Sequence, residues 1–198
     1  MIRIYSDMDG YIANFIERFL NKFGITDYTH DDINYYDHIF DILKYQYGIN
    51  KTKAWKELND KNFWKTIDPY PWLDLVSKHM TLVDPNWTVI TSLPLNKSEG
   101  INGKSLWIKE YLPEIYKQKR VAFVASKKYL FAHSCAILID DNETIIDEFE
   151  QWKGKGILVP MPWNRLSDLY FKINTREKMS EYINKKLCEK VNQIKKGY

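Results

Sequence analysis

The sequence predicts an α/β fold, a doubly wound parallel sheet with a small helical cap inserted after the first strand and helix. Five short apolar runs are bounded by polar or turn residues, as buried strands of a parallel sheet are. Stretches with helical spacing lie between these runs, which is the alternation typical of an α/β protein. One interval of about sixty residues is too long for a plain crossover and therefore predicts an insertion.

The predicted elements follow one another in a regular order. The five strands cover residues 2–5, 87–90, 121–124, 136–139 and 156–159. Helical spacing over 12–23 and 106–112 predicts two of the helices between them. The inserted segment has apolar residues at spacings that predict short cap helices, namely Ile39, Ile42, Leu43, Trp55 and Leu58. Pro69 and Pro71 mark the return of the chain to the core.

These elements predict three parts of the chain. The α/β core covers 1–15 and 70–175, the continued first helix and the cap cover 16–69, and a basic amphipathic helix covers 176–198. Apolar residues recur every four positions in this last helix, at Met179, Ile183, Leu187 and Val191. That stripe could pack on its own domain or on a second subunit, which leaves a homodimer open. We expect the Lys-rich face to be solvated surface.

Composition excludes several classes of protein. The chain has 198 residues, which suits one domain with a small insertion, and two cysteines, too few for a disulfide framework and without zinc-site spacing. No apolar run reaches the roughly 18 residues that span a bilayer, so we expect a cytoplasmic protein without a membrane partner. The net charge of +3 is small, and a nucleic-acid partner is not expected.

Two pairs of carboxylates follow predicted strands. Asp7 and Asp9 come directly after the first strand, with Gly10 permitting a sharp turn beyond them, and Asp140 and Asp141 end the fourth. Ligands bind at the carboxyl ends of strands in open α/β sheets. Converging carboxylates repel one another and call for a hard divalent cation. Mg²⁺ fits best, because it needs few protein oxygens and keeps positions for water and phosphate.

Other polar residues point to a phosphate at the same edge of the sheet. Thr91 and Ser92 end the second strand and supply hydroxyl donors, while Lys127 or Lys128 follows the third and supplies a cation. An Asp-x-Asp-Gly by itself is typical of an ordinary turn, and a lone Lys is usually solvated. Agreement among the strand ends therefore favours a phosphate site.

In chain order, these residues resemble the four motifs of the haloacid dehalogenase (HAD) superfamily. Asp7-Met8-Asp9-Gly10 is similar to the first motif, Thr91 to the second, Lys127 or Lys128 to the third and Asp140-Asp141 to the fourth. The segments DMDGYIANF, KNFWKTIDPYP, VITSLP and ILIDDNETIIDEF resemble those of the 5′(3′)-deoxyribonucleotidase family. The similarity spans 2–164 and implies a HAD-type Rossmann-like core.

The resemblance also implies roles for individual residues. Asp7 would be the nucleophile and Asp9 the general acid and base. Mg²⁺ would be held by Asp7, by the backbone carbonyl of Asp9 and by Asp140 or Asp141, a choice that stays open. Thr91, Ser92 and the third-motif lysine would hold phosphate, with Lys127 preferred over Lys128. Apolar groups around sugar and base would be Phe15, Phe63 and Trp64, although burial in the core is an equal alternative for each.

The sequence therefore predicts a Mg²⁺-dependent phosphomonoesterase that works through an aspartyl-phosphate and takes a small nucleotide, a deoxyribonucleoside or ribonucleoside monophosphate. Two alternatives stay open. One is a phosphatase of the same fold for a sugar phosphate or a nucleic-acid 3′-phosphate. The other is a non-catalytic module that binds phosphate and Mg²⁺, which the complete set of acidic residues argues against.

Overall fold

The computed structural model describes residues 1–26, 43–45, 47–92, 98–125 and 128–197. They form a five-stranded parallel sheet flanked by helices, which confirms the predicted fold class. Each strand starts and ends within two residues of its predicted position. The strands are β1 (Arg3–Ser6), β2 (Thr88–Ser92), β3 (Val121–Val124), β4 (Ala136–Asp140) and β5 (Lys155–Leu158).

The strand order is β3-β2-β1-β4-β5, so the first strand of the chain lies at the centre of the sheet. In register, Ser6 at the end of β1 lies opposite Val89 of β2 and Ile139 of β4. The chain builds outward from β1 on one side and then crosses to the other. The reversal creates a crevice beyond the carboxyl ends of β1 and β4, where open α/β sheets bind their ligands.

Local capping explains where several helices begin. Side chains of Asn50, Asp60, Asn142 and Thr175 each accept a backbone N–H from the first turn of the helix that follows. The described α-helices are α1 (Phe15–Lys22), α2 (Lys51–Glu57), α3 (Lys61–Lys65), α4 (Leu73–Val83), α5 (Ser98–Tyr111), α6 (Pro113–Lys117), α7 (Glu143–Gln151), α8 (Ser167–Ile173) and α9 (Arg176–Lys196).

Two of these helices differ in length from the sequence prediction. Residues 12–14 form a turn and a bridge before α1 rather than its first turn, because Ala13 pairs with Asp9 and Pro69. Helix α5 begins at Ser98, well before the predicted start at 106. The early part was missed because it contains glycines, which weaken helical propensity. Packing outweighs that propensity here.

Side chains of β4 alternate between two apolar layers, as a doubly wound sheet requires. Ile137 and Ile139 belong to the larger core cluster, which also contains buried residues of α1, α4 and α9. Ala136 and Leu138 belong to a smaller cluster with Ile146 and Phe149 of α7. Both faces of the sheet are therefore covered by helices, and the strand ends remain as the place for a site.

The segment predicted as the cap includes α2 and α3, and α3 packs closely on α5. Among the predicted apolar positions of the cap, Ile39 and Ile42 lie outside the described residues, Leu43 and Leu58 are fully buried, and Trp55 is partly buried against the core. The last helix buries Met179, Ile183 and Leu187 on its own domain. Among the described helices, none is long and apolar enough to cross a membrane.

Gly103 sets the distance between the cap and the core. A Cβ atom at this position would lie 2.5 Å from the carbonyl oxygen of Lys61 and 2.6 Å from Cβ of Trp64, so α3 and α5 would have to separate. We expect Gly103→Ala to lower the free energy of unfolding by about 1–3 kcal/mol, the usual cost of overpacking. Urea unfolding measures this loss.

Gly197→Ala is the matched control, because a Cβ atom there meets only ordinary contacts at 3.7 Å and its φ is negative. We expect that variant to keep the stability of the parent. Equal stability of the two variants would contradict the tight contact between α3 and α5.

Candidate active site

Three carboxylates meet at the centre of the sheet edge. Asp7 follows β1, Asp140 ends β4, and Asp141 comes next. One oxygen from each of the three lies within 4.8 Å of the others. Their residues are 6%, 0% and 1% exposed, respectively. The structure therefore brings together three of the four carboxylates that the sequence pattern placed at this edge, in an environment that does not tolerate uncompensated charge.

A buried lysine compensates two of them. Lys128 begins a short 3₁₀ helix (Lys128–Phe131) after β3, and its Nζ lies 2.7 Å from Oδ1 of Asp7 and 2.7 Å from Oδ2 of Asp140. Burial alone would lower the pKa of Lys128, but Asp140 and Asp7 outweigh it and raise that pKa, so the side chain is a cation. Lys127, the preferred lysine of the sequence analysis, lies outside the described residues.

Asp140 and Asp141 differ in how their oxygens are used. Both oxygens of Asp140 accept hydrogen bonds, Oδ2 from Lys128 Nζ and Oδ1 from the backbone N–H of Asn142. Asp141 accepts one, from Trp163 Nε1 to Oδ2 at 2.6 Å. Its Oδ1 is buried and has no hydrogen-bond partner among the described residues. Of the two, Asp141 is the side chain with an oxygen to offer.

Electrostatics at the cluster fit a bound divalent cation. Burial raises the pKa of Asp7 to about 7, with Asp140 and Asp9 adding to the rise and Lys128 opposing it. Burial and the neighbouring Asp140 and Asp7 also raise the pKa of Asp141. One lysine is too little positive charge for this set of acids. A hard cation with oxygen ligands would supply the remainder.

A second buried lysine holds Asp9. Lys104 of α5 is 1% exposed, and its Nζ donates to Oδ2 of Asp9, to Oγ1 of Thr91 at 2.8 Å and to the backbone carbonyl of Ser92 at 2.9 Å. Oγ1 of Thr91 also donates to Oδ2 of Asp9, over 3.4 Å. Oδ1 of Asp9 is buried without a partner among the described residues. Lys104 thus ties the end of β2 to the first motif.

Sequence reasoning missed Lys104 and Trp163. Lys104 lies in the part of α5 that was not predicted as helix, so nothing in the pattern aimed its side chain at the strand ends. Trp163 comes from the loop after β5, which was not expected to reach the acidic cluster. In the sequence, the preceding Gly103 is the one feature that points to Lys104, because a glycine inside a helix often marks close packing. Trp163 has no such signal.

Three aromatic residues predicted to surround a substrate pack against one another. Phe15, Phe63 and Trp64 are 6%, 1% and 1% exposed, and the rings of Phe15 and Trp64 stack with centroids 5.3 Å apart. Lys104 Nζ lies 4.4 Å from the centroid of Trp64, a cation–π distance. Trp64 therefore lies beside the site, while Phe15 and Phe63 pack against Trp64.

Comparison with known proteins gives a match over most of the chain. A family model described as 5′ nucleotidase, deoxy (pyrimidine), cytosolic type C protein (NT5C) matches residues 1–187. Among solved structures, a haloacid dehalogenase-like hydrolase from Burkholderia xenovorans LB400 is similar, with 13% sequence identity, a TM-score of 0.43 and 84% of each chain covered. The comparison with curated proteins gives no match.

Proposed function

Since this chain belongs to the family of 5′ nucleotidase, deoxy (pyrimidine), cytosolic type C proteins, as its motifs predicted, we propose that it hydrolyses deoxyribonucleoside or ribonucleoside monophosphates through an aspartyl-phosphate on Asp7. The chain is a phosphoric monoester hydrolase of the nucleotidase type. Beyond membership of the family, we propose the covalent route, the dependence on Mg²⁺ and the substrate class. The family description also favours a cytoplasmic location.

One observation carries the proposed route: a buried lysine bridges the carboxylate after the first strand and the carboxylate at the end of β4. Lys128 makes two contacts of 2.7 Å, to Asp7 and to Asp140. An ammonium group has three donors, so one of them stays available for a phosphate oxygen. A cation beside Asp7 supports this route, because neutralising the charge of the phosphate helps a carboxylate to attack it.

Asp7 acts as the nucleophile in this route. One of its carboxylate oxygens attacks phosphorus, and the bond between phosphorus and the sugar oxygen breaks. Water then attacks the aspartyl-phosphate and releases inorganic phosphate, which regenerates the carboxylate. Covalent catalysis of this kind divides a difficult hydrolysis into two easier steps.

Asp9 carries the proton in both steps. It gives a proton to the leaving sugar oxygen and later takes one from the attacking water, a contribution of roughly 10² to 10⁴ in rate. Its Oδ2 is held by Lys104, while its buried Oδ1 has no partner among the described residues. We assign the transferred proton to Oδ1.

Lys104 orients the site, because three acceptors already surround its three N–H groups. Thr91 accepts from Lys104 and donates its hydroxyl proton to Oδ2 of Asp9 over a long contact of 3.4 Å. We assign this hydroxyl to phosphate, toward which it would rotate when substrate binds. Ser92, next along the chain, is the other hydroxyl that we assign to phosphate. Lys128 takes the role of the third-motif lysine.

Mg²⁺ would be held by Asp7, by the backbone carbonyl of Asp9 and by Oδ1 of Asp141. When bound, it acts as a Lewis acid that neutralises charge on the transferred phosphoryl group. Asp140 keeps the supporting position, since both of its oxygens are already occupied. The assignment of Asp141 follows from its unpartnered oxygen.

Metal binding should depend on pH, because the cation must displace a proton from Asp7. Burial raises the pKa of Asp7 to about 7, so this carboxyl holds a proton below that pH in the metal-free protein. We expect the apparent Mg²⁺ affinity to fall about tenfold for each pH unit below about 7. Calorimetric titration in buffers of different ionisation enthalpy measures both the affinity and the proton released.

The same raised pKa also affects stability, with the opposite sign. Without metal, the folded protein keeps a proton on Asp7 that the unfolded chain loses near its ordinary pKa of 3.8. This carboxyl therefore reduces the free energy of unfolding as the pH rises from about 4 to about 7. A Mg²⁺ affinity that is constant across this range would contradict the raised pKa of Asp7.

The substrate class is tested by phosphate release from a panel of deoxyribonucleoside and ribonucleoside monophosphates, sugar phosphates and a 3′-phosphorylated oligonucleotide. The proposed nucleotide substrate rests on the family and on Trp64, whose ring lies beside Lys104. We expect the highest kcat/KM for mononucleotides. A preference for sugar phosphates or for the oligonucleotide would contradict the substrate class and leave the chemistry of Asp7 standing.

A further inference from the structure

Trp163 touches the acidic cluster from the loop after β5. Its indole N–H donates to Oδ2 of Asp141 at 2.6 Å, and both residues are nearly inaccessible, with Trp163 5% exposed and Asp141 1% exposed. A buried hydrogen bond to a carboxylate is among the stronger ones in proteins. The contact therefore fixes the direction in which the carboxylate of Asp141 points.

The loop that presents Trp163 is fastened to the loop after β4. The side-chain amide of Asn164 donates to the backbone carbonyls of Asp141 and of Val159, both at 2.8 Å. Its oxygen accepts from the backbone N–H groups of Met161 and Leu166. Asn164 is itself 6% exposed. The indole of Trp163 thus approaches Asp141 from a rigid support.

The consequence is an asymmetric carboxylate. Oδ2 of Asp141 is occupied by the indole, whereas Oδ1 is buried, lacks a partner among the described residues and belongs to the side chain that clusters with Asp7 and Asp140. A carboxylate held in this way offers one oxygen. Mg²⁺ requires near-ideal octahedral geometry, whereas Ca²⁺ readily accepts both oxygens of one carboxylate.

We propose that Trp163 is a positioning residue of the metal site, which holds Asp141 as a one-oxygen ligand and thereby favours Mg²⁺ over Ca²⁺. The inference rests on the proposed function, because it takes the cluster to be a metal site. Trp163 reaches the cation only through Asp141. Partners of this kind, one bond away from the metal, typically change metal affinity by about 10- to 100-fold when they are removed.

The test replaces the indole by a ring without the N–H. Trp163→Phe and the wild-type protein are titrated calorimetrically with Mg²⁺ alone and with Ca²⁺ alone, without substrate. We expect Trp163→Phe to raise the Kd for Mg²⁺ by about 10- to 100-fold and the Kd for Ca²⁺ by less, because the released carboxylate can bind Ca²⁺ through both oxygens.

Trp87→Phe is the matched control. Trp87 is 2% exposed and donates its indole N–H to Oγ1 of Thr81 at 3.0 Å, at the amino end of β2 and away from the site. This variant should keep both metal affinities. A folded Trp163→Phe protein with unchanged Mg²⁺ affinity overturns the proposal, and so does an equal loss for both metals. A wild-type protein that binds no Mg²⁺ overturns the metal site itself.

A second measurement needs no variant of Trp163. In wild-type protein with ¹⁵N-labelled tryptophan, the assigned indole resonance of Trp163 should shift on titration with Mg²⁺, while that of Trp87 should stay in place. An indole resonance of Trp163 that ignores Mg²⁺, in a protein shown by calorimetry to bind it, overturns the proposal even where Trp163→Phe fails to fold.

Discussion

An Asp7→Asn variant is expected to lose turnover of nucleoside monophosphates by about 10⁴-fold or more, as other enzymes do when their nucleophile is removed. The amide of asparagine has nearly the same shape but cannot attack phosphorus to form the covalent intermediate. Asp7 is also the carboxylate whose oxygen lies 2.7 Å from Lys128 Nζ, so the position is built for charge. Phosphate release at saturating substrate and Mg²⁺ measures the loss.

Asp147→Asn makes the same chemical change away from the site. Asp147 is about half exposed and pairs with Arg165 on the surface, a contact that adds little to stability. This control should keep full activity, and thermal unfolding should show that both variants are folded. Turnover close to the wild-type rate in folded Asp7→Asn would end the assignment of the nucleophile.

A Lys128→Met variant is expected to lose both activity and stability. Methionine keeps an unbranched side chain of similar length but removes the cation that bridges Asp7 and Asp140. Breaking a buried ion pair from one side typically costs about 3–5 kcal/mol, and losing one group that stabilises charge in the transition state costs about 10²–10³ in kcat. Urea unfolding and steady-state kinetics measure the two effects.

Lys186→Met removes the same charge from an exposed pair on α9. Lys186 lies 2.7 Å from Glu189 with both side chains more than a third exposed, so the expected loss is below about 1 kcal/mol, without loss of activity. If Lys128→Met were as stable and as active as Lys186→Met, the buried bridge would have no role in either property.

Strand ends were the most predictable part of the site. Asp7 and Asp140 follow directly from apolar runs, and neighbouring parallel strands bring their carboxyl ends to one edge regardless of what the helices do. The pattern could not distinguish Asp140 from Asp141. In the structure, Lys128 and the backbone N–H of Asn142 occupy both oxygens of Asp140, whereas Trp163 occupies one oxygen of Asp141. Hydrogen bonds of this kind leave no periodic signal in a sequence.

Helices and loops were harder to predict, because their side chains are aimed by packing. Lys104 lies next to Gly103, where α5 packs tightly on α3, and a glycine in a helix weakens the pattern that would have revealed the helix. The sequence could not choose between Lys127 and Lys128, because adjacent residues of a loop point in different directions and no periodic pattern fixes which one faces a site. Phe15, Phe63 and Trp64 were predicted near the substrate, with burial in the core as an equal alternative for each. Their exposed fractions of 6%, 1% and 1% are compatible with the core alternative.

Chemical trapping of the phosphorylated enzyme tests the central claim most directly. Rapid acid quenching during turnover of a nucleoside monophosphate, followed by peptide mass spectrometry, should find a phosphoryl group on Asp7. In the Asp9→Asn variant both the formation and the hydrolysis of the intermediate should slow by roughly 10²–10⁴, because Asp9 transfers the proton in each step, so the quench is repeated there at correspondingly longer times. Phosphate released by the wild-type protein while no phosphoryl group is trapped on Asp7 in either protein, or a phosphoryl group on another residue, would contradict the account.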